Sequence, residues 1–250
     1  MAEHAGPARG TGTPRTGEAP RPLAIDAVLF DLDGTLADTA PDLAAALNRV
    51  RGDRGLDPLP YPVLRQHASA GARGLVGAGF GIGPDHDDFP ALRDAFLAHY
   101  ASALCVLSTL FDEVAALIDA IEARGLAWGI VTNKATRFTQ PLIEALPPLP
   151  RAGTVVCGDT TPHAKPHPAP LLHAARELGV APRRCLYVGD AERDVLAGSA
   201  AGMPAIVATY GYIEAHETPA AWPAVGFIAR PGALVDWLPG GPRHEPADRG

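Results

Sequence analysis

Short apolar runs alternate with amphipathic stretches along most of this 250-residue chain. The runs are residues 25–30 (IDAVLF), 126–131 (LAWGIV), 154–157 (TVVC), 185–188 (CLYV) and 205–208 (AIVA), with a weaker sixth at 226–228 (GFI). Unbroken runs of this length suit parallel strands buried on both faces. Helical patterns lie between them. Asp112 is placed to cap a helix whose Val114, Leu117, Ile118 and Ile121 follow the i, i+3, i+4, i+7 spacing, and Gly125 sits at its far end. Leu171, Ala175 and Leu178 form another apolar stripe, closed by Gly179. Pro141 falls inside a helical stretch, either as a kink or as a true first turn. Strand–helix alternation of this kind predicts an α/β fold with a doubly wound, mostly parallel sheet.

The stretch from Asp38 to about Ser108 breaks the alternation. It carries no clear strand. Thr39 opens a helix with Asp42 three residues on, a variant of the capping box, and Leu43, Leu47 and Val50 continue it as a stripe. A second helical segment is expected at 92–104. The expected organisation is therefore an α/β core from 23–37 and 109–238 and an inserted helical lid or cap over 38–108. Residues 1–22 hold four Pro and four Gly with almost no large apolar side chain, and 239–250 (PGGPRHEPADRG) read the same way. Both are expected to be disordered tails.

Composition narrows the function. The chain is 47% hydrophobic, enough for a core, and its net charge is −7, which disfavours nucleic-acid backbones as partners. Cys105, Cys157 and Cys185 are too far apart for a zinc ribbon or disulfide framework, and the last two read as buried packing residues. No apolar stretch reaches the ~18 residues a bilayer span requires. The N-terminus lacks the apolar region of a signal peptide, so a cytoplasmic enzyme or module with no membrane partner is expected. Only two of the 21 basic residues are lysine, Lys134 and Lys165.

The strongest chemical signal is Phe30-Asp31-Leu32-Asp33-Gly34-Thr35, two carboxylates at the end of an apolar run. In open α/β sheets ligands bind beyond the carboxyl ends of the strands. A carboxylate there can attack phosphorus and form an aspartyl-phosphate, and a second can serve as acid and then base. Gly34 lets the backbone turn close to a phosphate. Taken alone, D-x-D-G also fits a plain turn or a calcium loop. The next run ends in Thr132-Asn133, a hydroxyl and an amide suited to phosphate oxygens, though also common helix caps. Lys165 lies in Ala164-Lys165-Pro166-His167-Pro168, where the prolines favour an extended, stiff loop. Lysine there is a compact cation for a phosphate or a shared carboxylate; otherwise it is an ordinary surface residue. Tyr187 to Asp194 (YVGDAERD) offers Asp190 and Asp194 on one side of a starting helix. With Asp31 they form an oxygen site suited to Mg²⁺; otherwise they are first-turn acids.

These four stretches resemble the four motifs of the haloacid dehalogenase (HAD) superfamily of phosphatases, over about residues 23–235. GIVTNKATRF, AKPHPAPLL and YVGDAERD resemble bacterial phosphoglycolate phosphatases. SAGARGLV and ATYGYI are also similar to N-acetylmuramic acid 6-phosphate phosphatases. The resemblance implies a HAD-like sheet, Asp31 as nucleophile, Asp33 as acid and base, and Thr132 with Lys165 as phosphate ligands. It implies Mg²⁺ held by the Asp31 carboxylate, the Asp33 carbonyl and Asp190, with Asp194 nearby. Ala191 departs from the pattern, where many relatives carry Ser or Asp. The insertion corresponds to a mobile cap that selects substrate. Arg73, in the Gly-rich turn 69–74, is the candidate for gripping a substrate carboxylate; it also fits a solvated arginine.

The implied function is Mg²⁺-dependent hydrolysis of a small phosphate monoester by a monomer or homodimer. 2-Phosphoglycolate is the first expected substrate and N-acetylmuramic acid 6-phosphate the second. A phospho-acceptor signalling module is disfavoured by Asp33, the long insertion and the chain length. A non-catalytic HAD-fold binding protein is disfavoured by competent residues in all four motifs. Asp33 also disfavours dehalogenation. The absence of lysine from 38–108 closes the Schiff-base route of phosphonate hydrolysis. A β-phosphoglucomutase would need cap groups that the sequence does not identify.

Overall fold

The computed structural model describes residues 22–240. The two expected tails lie outside the described residues, apart from Pro22, Pro239 and Gly240. In chain order the elements are β1 (Ala27–Phe30), β2 (Ala37–Asp38), α1 (Ala40–Asp53), α2 (Tyr61–Arg65), α3 (Gly71–Phe80), α4 (Phe89–Ser102), β3 (Thr109–Leu110), α5 (Val114–Glu122), β4 (Ala127–Val131), α6 (Thr136–Ala145), β5 (Val155–Val156), α7 (Ala169–Glu177), β6 (Cys185–Gly189), α8 (Glu192–Ala200), β7 (Ala205–Ala208) and β8 (Gly226–Ile228).

All six apolar runs become strands of one sheet in the order β5-β4-β1-β6-β7-β8, and every pairing is parallel. β1 sits centrally because both faces of its run are apolar. Val28 and Phe30 pack on one face with Leu117, Ile118 and Ile121 of α5. Ala27 and Leu29 pack on the other with Leu171 and Ala174 of α7 and Ala197 of α8. This alternation follows from the period of two along a strand. The chain adds β4 and β5 on one side of β1, then β6 to β8 on the other. The reversal places a crevice at the carboxyl ends of β1, β4 and β6.

The insertion holds four helices where two were expected from the sequence. α2 and α3 escaped notice because one is five residues long and the other is rich in glycine. The four bury Leu47, Leu64, Leu75, Phe96 and Tyr100 in a core of their own, completed by Phe138 and Tyr212 from outside the insertion. The chain leaves and returns through the antiparallel β2–β3 ribbon, with Ala37 paired to Leu110 and Asp38 to Thr109.

Several local expectations need correction. The Thr39–Asp42 capping box does not form: Thr39 makes no side-chain cap bond. Asp42 instead accepts from Leu107 N (2.9 Å), Ser108 N (2.8 Å) and Ser108 Oγ (2.6 Å), tying the end of the insertion to its start. Asp112 is not the cap of α5; Glu113 takes that place with φ +70°. Only Ser69 and Ala70 of the expected 69–74 turn form a turn, because α3 begins at Gly71 and carries Arg73 in its first turn. Pro141 lies in the interior of α6, leaving the Arg137 carbonyl without its helical partner. Cys157 and Cys185 are buried as expected. Among the described residues no helix is long and apolar enough to cross a membrane.

The Asp42 contacts predict a measurable effect. Asp42→Ala strands two N–H groups and a hydroxyl, and should lower unfolding free energy by about 3 kcal/mol in denaturant melts. A loss below about 0.5 kcal/mol would show that these bonds do not hold the insertion closed.

Candidate active site

Strand ends bring the chemistry-bearing residues together. Asp31 follows β1, Thr132 and Asn133 follow β4, and Asp190 follows β6. Asp194 comes from the first turn of α8, where its Oδ2 accepts from Ala191 N at 3.0 Å. Asp190 precedes that helix rather than sharing a face of it, yet converges with Asp194 all the same. One carboxylate oxygen from each of Asp31, Asp190 and Asp194 lies within 4.8 Å of the others, and all three residues are buried.

Lys165 is the counterweight. Its side chain is 0% exposed. Its Nζ lies 2.9 Å from Asp31 Oδ1, 2.7 Å from Asp194 Oδ1, 2.7 Å from Tyr187 Oη and 2.9 Å from Val131 O. An ammonium has three protons. Four acceptors crowd it, and Tyr187 Oη in turn donates to Val131 O at 2.9 Å. The loop holding Lys165 is not extended as expected; His167 N donates to Ala164 O (3.0 Å) and closes a turn. Asn133 holds it there, with Nδ2 donating to Lys165 O and Oδ1 accepting from Lys165 N, both 2.9 Å. The Asn133 amide is thus spent on the main chain of Lys165.

Gly34 also has a different task from the one expected. Its N–H donates to Ala37 O at 2.9 Å. Its φ is +82°, and a Cβ there would sit 2.1 Å from Asp190 Oδ2. The missing side chain makes room for Asp190. Asp190 Oδ2 accepts from Tyr212 N at 2.7 Å, while Oδ1 is buried without a partner among the described residues. Tyr212 reaches on to the insertion: its Oη accepts from Thr39 N (2.7 Å) and Ala40 N (3.0 Å) and donates to Asp38 Oδ1 (2.7 Å). Sequence reasoning missed Tyr212 as a linking residue, although it lies in the ATYGYI stretch.

Asp33 stands closer to solvent. Its Oδ1 accepts from Lys134 Nζ at 2.8 Å and from Thr39 Oγ1. The Lys134 ammonium also lies 4.8 Å from the centre of the Tyr100 ring. Burial works against the charge of Lys134, but Asp33 and Tyr100 hold its pKa above the ordinary lysine value. A cavity of about 520 Å³ opens over Asp31, Asp33 and Thr132, and its opposite wall is the insertion, from Ser69–Arg73 and from Phe96 and Tyr100. Arg73, Arg137 and Arg193 line it as well. Arg193 was missed in the sequence, where it reads as one of 19 arginines.

Three buried carboxylates share one fully buried ammonium, so negative charge is in excess. Burial, then Asp31 and Asp194, push the Asp190 carboxyl up to about 8. Burial also raises Asp31 against the pull of Lys165. Burial works to raise Asp194 too, yet Lys165, Arg193 and the Ala191 N–H bring it below the ordinary carboxylate range. The unpartnered Asp190 Oδ1 and the all-oxygen donor set fit a hard divalent cation.

A model of haloacid dehalogenase-like hydrolases matches residues 25–202. The chain is 41% identical over 216 residues to an N-acetylmuramic acid 6-phosphate phosphatase of Pseudomonas aeruginosa, covering 86% of this chain and 96% of that protein. It is also 41% identical over 213 residues to a phosphoglycolate phosphatase of Xanthomonas campestris, covering 85% and 95%. The crystal structure of a predicted phosphoglycolate phosphatase from Haemophilus somnus superposes with TM-score 0.75 and 27% identity, covering 85% of this chain and 97% of that one.

The raised Asp190 pKa has a signed consequence. Its contribution to stability is full below the unfolded value near 3.8 and is lost as pH rises towards about 8. A divalent cation relieves that loss, so Mg²⁺ should raise the melting temperature of the metal-free protein more at pH 8.5 than at pH 6. An equal shift at both pH values would contradict the assignment.

Proposed function

The chain belongs to the haloacid dehalogenase-like hydrolases, and we propose that it is a phosphatase acting on a phosphate monoester whose leaving group carries a carboxylate. The observation that carries this reading is the placement of Asp31 and Asp33 on one wall of a cavity that Arg73 and Arg137 also line. Asp31 Oδ1 is held by Lys165 Nζ at 2.9 Å and Leu32 N at 2.8 Å, which fixes the carboxylate for attack. Attack by the Asp31 carboxylate on phosphorus forms an aspartyl-phosphate and breaks the P–O bond to the leaving group. Asp33 supplies the proton to the departing alcohol oxygen. It then takes a proton from the water that attacks phosphorus, and inorganic phosphate leaves with Asp31 restored. Asp31 and Asp190, with Asp194 beside them and the Asp33 carbonyl, are the residues that would hold Mg²⁺. When bound, the ion supplies positive charge against the transferring group. The helices over 38–108 act as a cap that keeps bulk water from the reacting group.

Cavity size bears on the leaving group. A cavity of about 520 Å³ has room for a sugar ring as well as for a two-carbon acid. Leu43, Phe96 and Phe138 give apolar lining, and Arg73 and Arg137 add positive charge suited to a carboxylate. The apolar lining favours N-acetylmuramic acid 6-phosphate as the first ester to test and 2-phosphoglycolate as the second, the reverse of the order expected from sequence. Phosphate release over a panel containing both esters tests this. The expected result is a higher kcat/KM for the sugar phosphate, dependence on Mg²⁺ that EDTA removes, and loss of turnover in Asp31→Asn with the fold retained. Turnover by Asp31→Asn would contradict the mechanism, and preference for an ester without a carboxylate would contradict the substrate class.

A further inference from the structure

Lys165 meets the site from beneath, through the carboxylates. Its side chain is fully buried, four acceptors lie within 2.9 Å of its ammonium, and it is absent from the cavity wall. The transferring group needs several donors, since charge spreads over its equatorial oxygens, and the Thr132 hydroxyl at the cavity can supply only one. Lys134 is committed to Asp33 at 2.8 Å. Arg193 differs from both. It stands on the first turn of α8 immediately before Asp194, lines the cavity, and keeps 27% of its side chain exposed. Its Nη2 is 4.0 Å from Asp31 Oδ2, beyond hydrogen-bond reach. Among the described residues its one hydrogen bond runs to a neutral partner, Ser69 Oγ, at 3.0 Å. Ser69 belongs to the insertion, just ahead of α3. A guanidinium has five N–H donors in a planar fork that matches phosphate oxygens. Most of those donors remain for a ligand.

We propose that Arg193 is a catalytic residue that grips the phosphoryl group as it meets Asp31, steadied from the insertion by Ser69. This rests on the phosphatase reading above. Lys165 then neutralises the carboxylates from within, and Arg193 meets the substrate from the cavity side. The contact falls on the phosphoryl group, so its loss is felt equally by every ester. Ser69 acts through Arg193 and is a positioning residue.

The test compares Arg193→Ala, Arg193→Lys and Ser69→Ala with the wild-type protein. Steady-state kinetics are measured on monoesters with and without a carboxylate, and inorganic phosphate binding is followed by calorimetry with Mg²⁺ present. Arg193→Ala should lower kcat/KM by about 100-fold or more, by a similar factor on every ester. It should also weaken phosphate binding at least tenfold. Arg193→Lys should recover part of kcat, because a charge returns without the fork. Ser69→Ala should raise KM with kcat within about threefold. Arg193→Gln carries the alanine expectation if the alanine variant does not fold. A loss confined to carboxylated esters would place Arg193 at the leaving group and overturn the proposal. So would kcat/KM and phosphate affinity within about threefold of wild type. If the wild-type protein cleaves no ester on the panel, the phosphatase reading fails instead, and phosphate calorimetry still reads the Arg193 contact separately.

Discussion

One buried ammonium makes the rest of this site possible. Asp31, Asp190 and Asp194 crowd within 4.8 Å at the end of a parallel sheet, all three of them buried. Carboxylates in such surroundings take up protons unless opposite charge is supplied. Lys165 supplies it from inside, at 2.9 Å from Asp31 and 2.7 Å from Asp194. Its position is fixed from two directions, by the Asn133 amide on its main chain and by Val131 and Tyr187 around its Nζ. The strand ends therefore position a charge lattice as well as individual groups. A single lysine does not balance three acids, and Asp190 carries the remainder, with its Oδ1 unpartnered. That imbalance is what suits the site to a hard cation.

The insertion is joined to this lattice by polar contacts as much as by packing. Tyr212 accepts two N–H groups at the start of α1 through its hydroxyl, while its own N–H serves Asp190. Arg65 of α2 reinforces the link, with Nη1 donating to Gly211 O at 3.2 Å and its guanidinium 5.0 Å from the Tyr212 ring centre. Asp42 closes the far end of the insertion on its beginning. The acid cluster and the helices above it thus share hydrogen-bonded partners. A change at Asp190 has a short physical route to the entry of α1.

Much of this was legible in the residues. The six strands followed from apolar runs, because buried parallel strands need no alternation. Asp31, Thr132 and Asp190 stood out because each follows a strand end, and Lys165 and Asp194 because of the stretches they lie in; the fold brings Asp31, Lys165, Asp190 and Asp194 together. What remained hidden was the partner of each group. Asn133 and Gly34 read as substrate ligands, whereas their contacts go to Lys165 and Asp190. Such pairings join residues 32 and 156 positions apart, and no local pattern reports them. Arg193 and Tyr212 were missed for the same reason, as was the capping reading of Asp42, whose partners lie 65 and 66 residues on. Short or glycine-rich helices such as α2 and α3 carry too weak a periodic signal to be seen.

The central claim is that Lys165 stabilises the site from within by neutralising Asp194 and Asp31. A double-mutant cycle on unfolding free energy, with Lys165→Met, Asp194→Asn and the pair together, measures that interaction directly. The account predicts strong non-additivity, with each single change costly and a coupling of about 2 kcal/mol or more between them. Losses that simply add would show that the buried ion pair does not hold the site together.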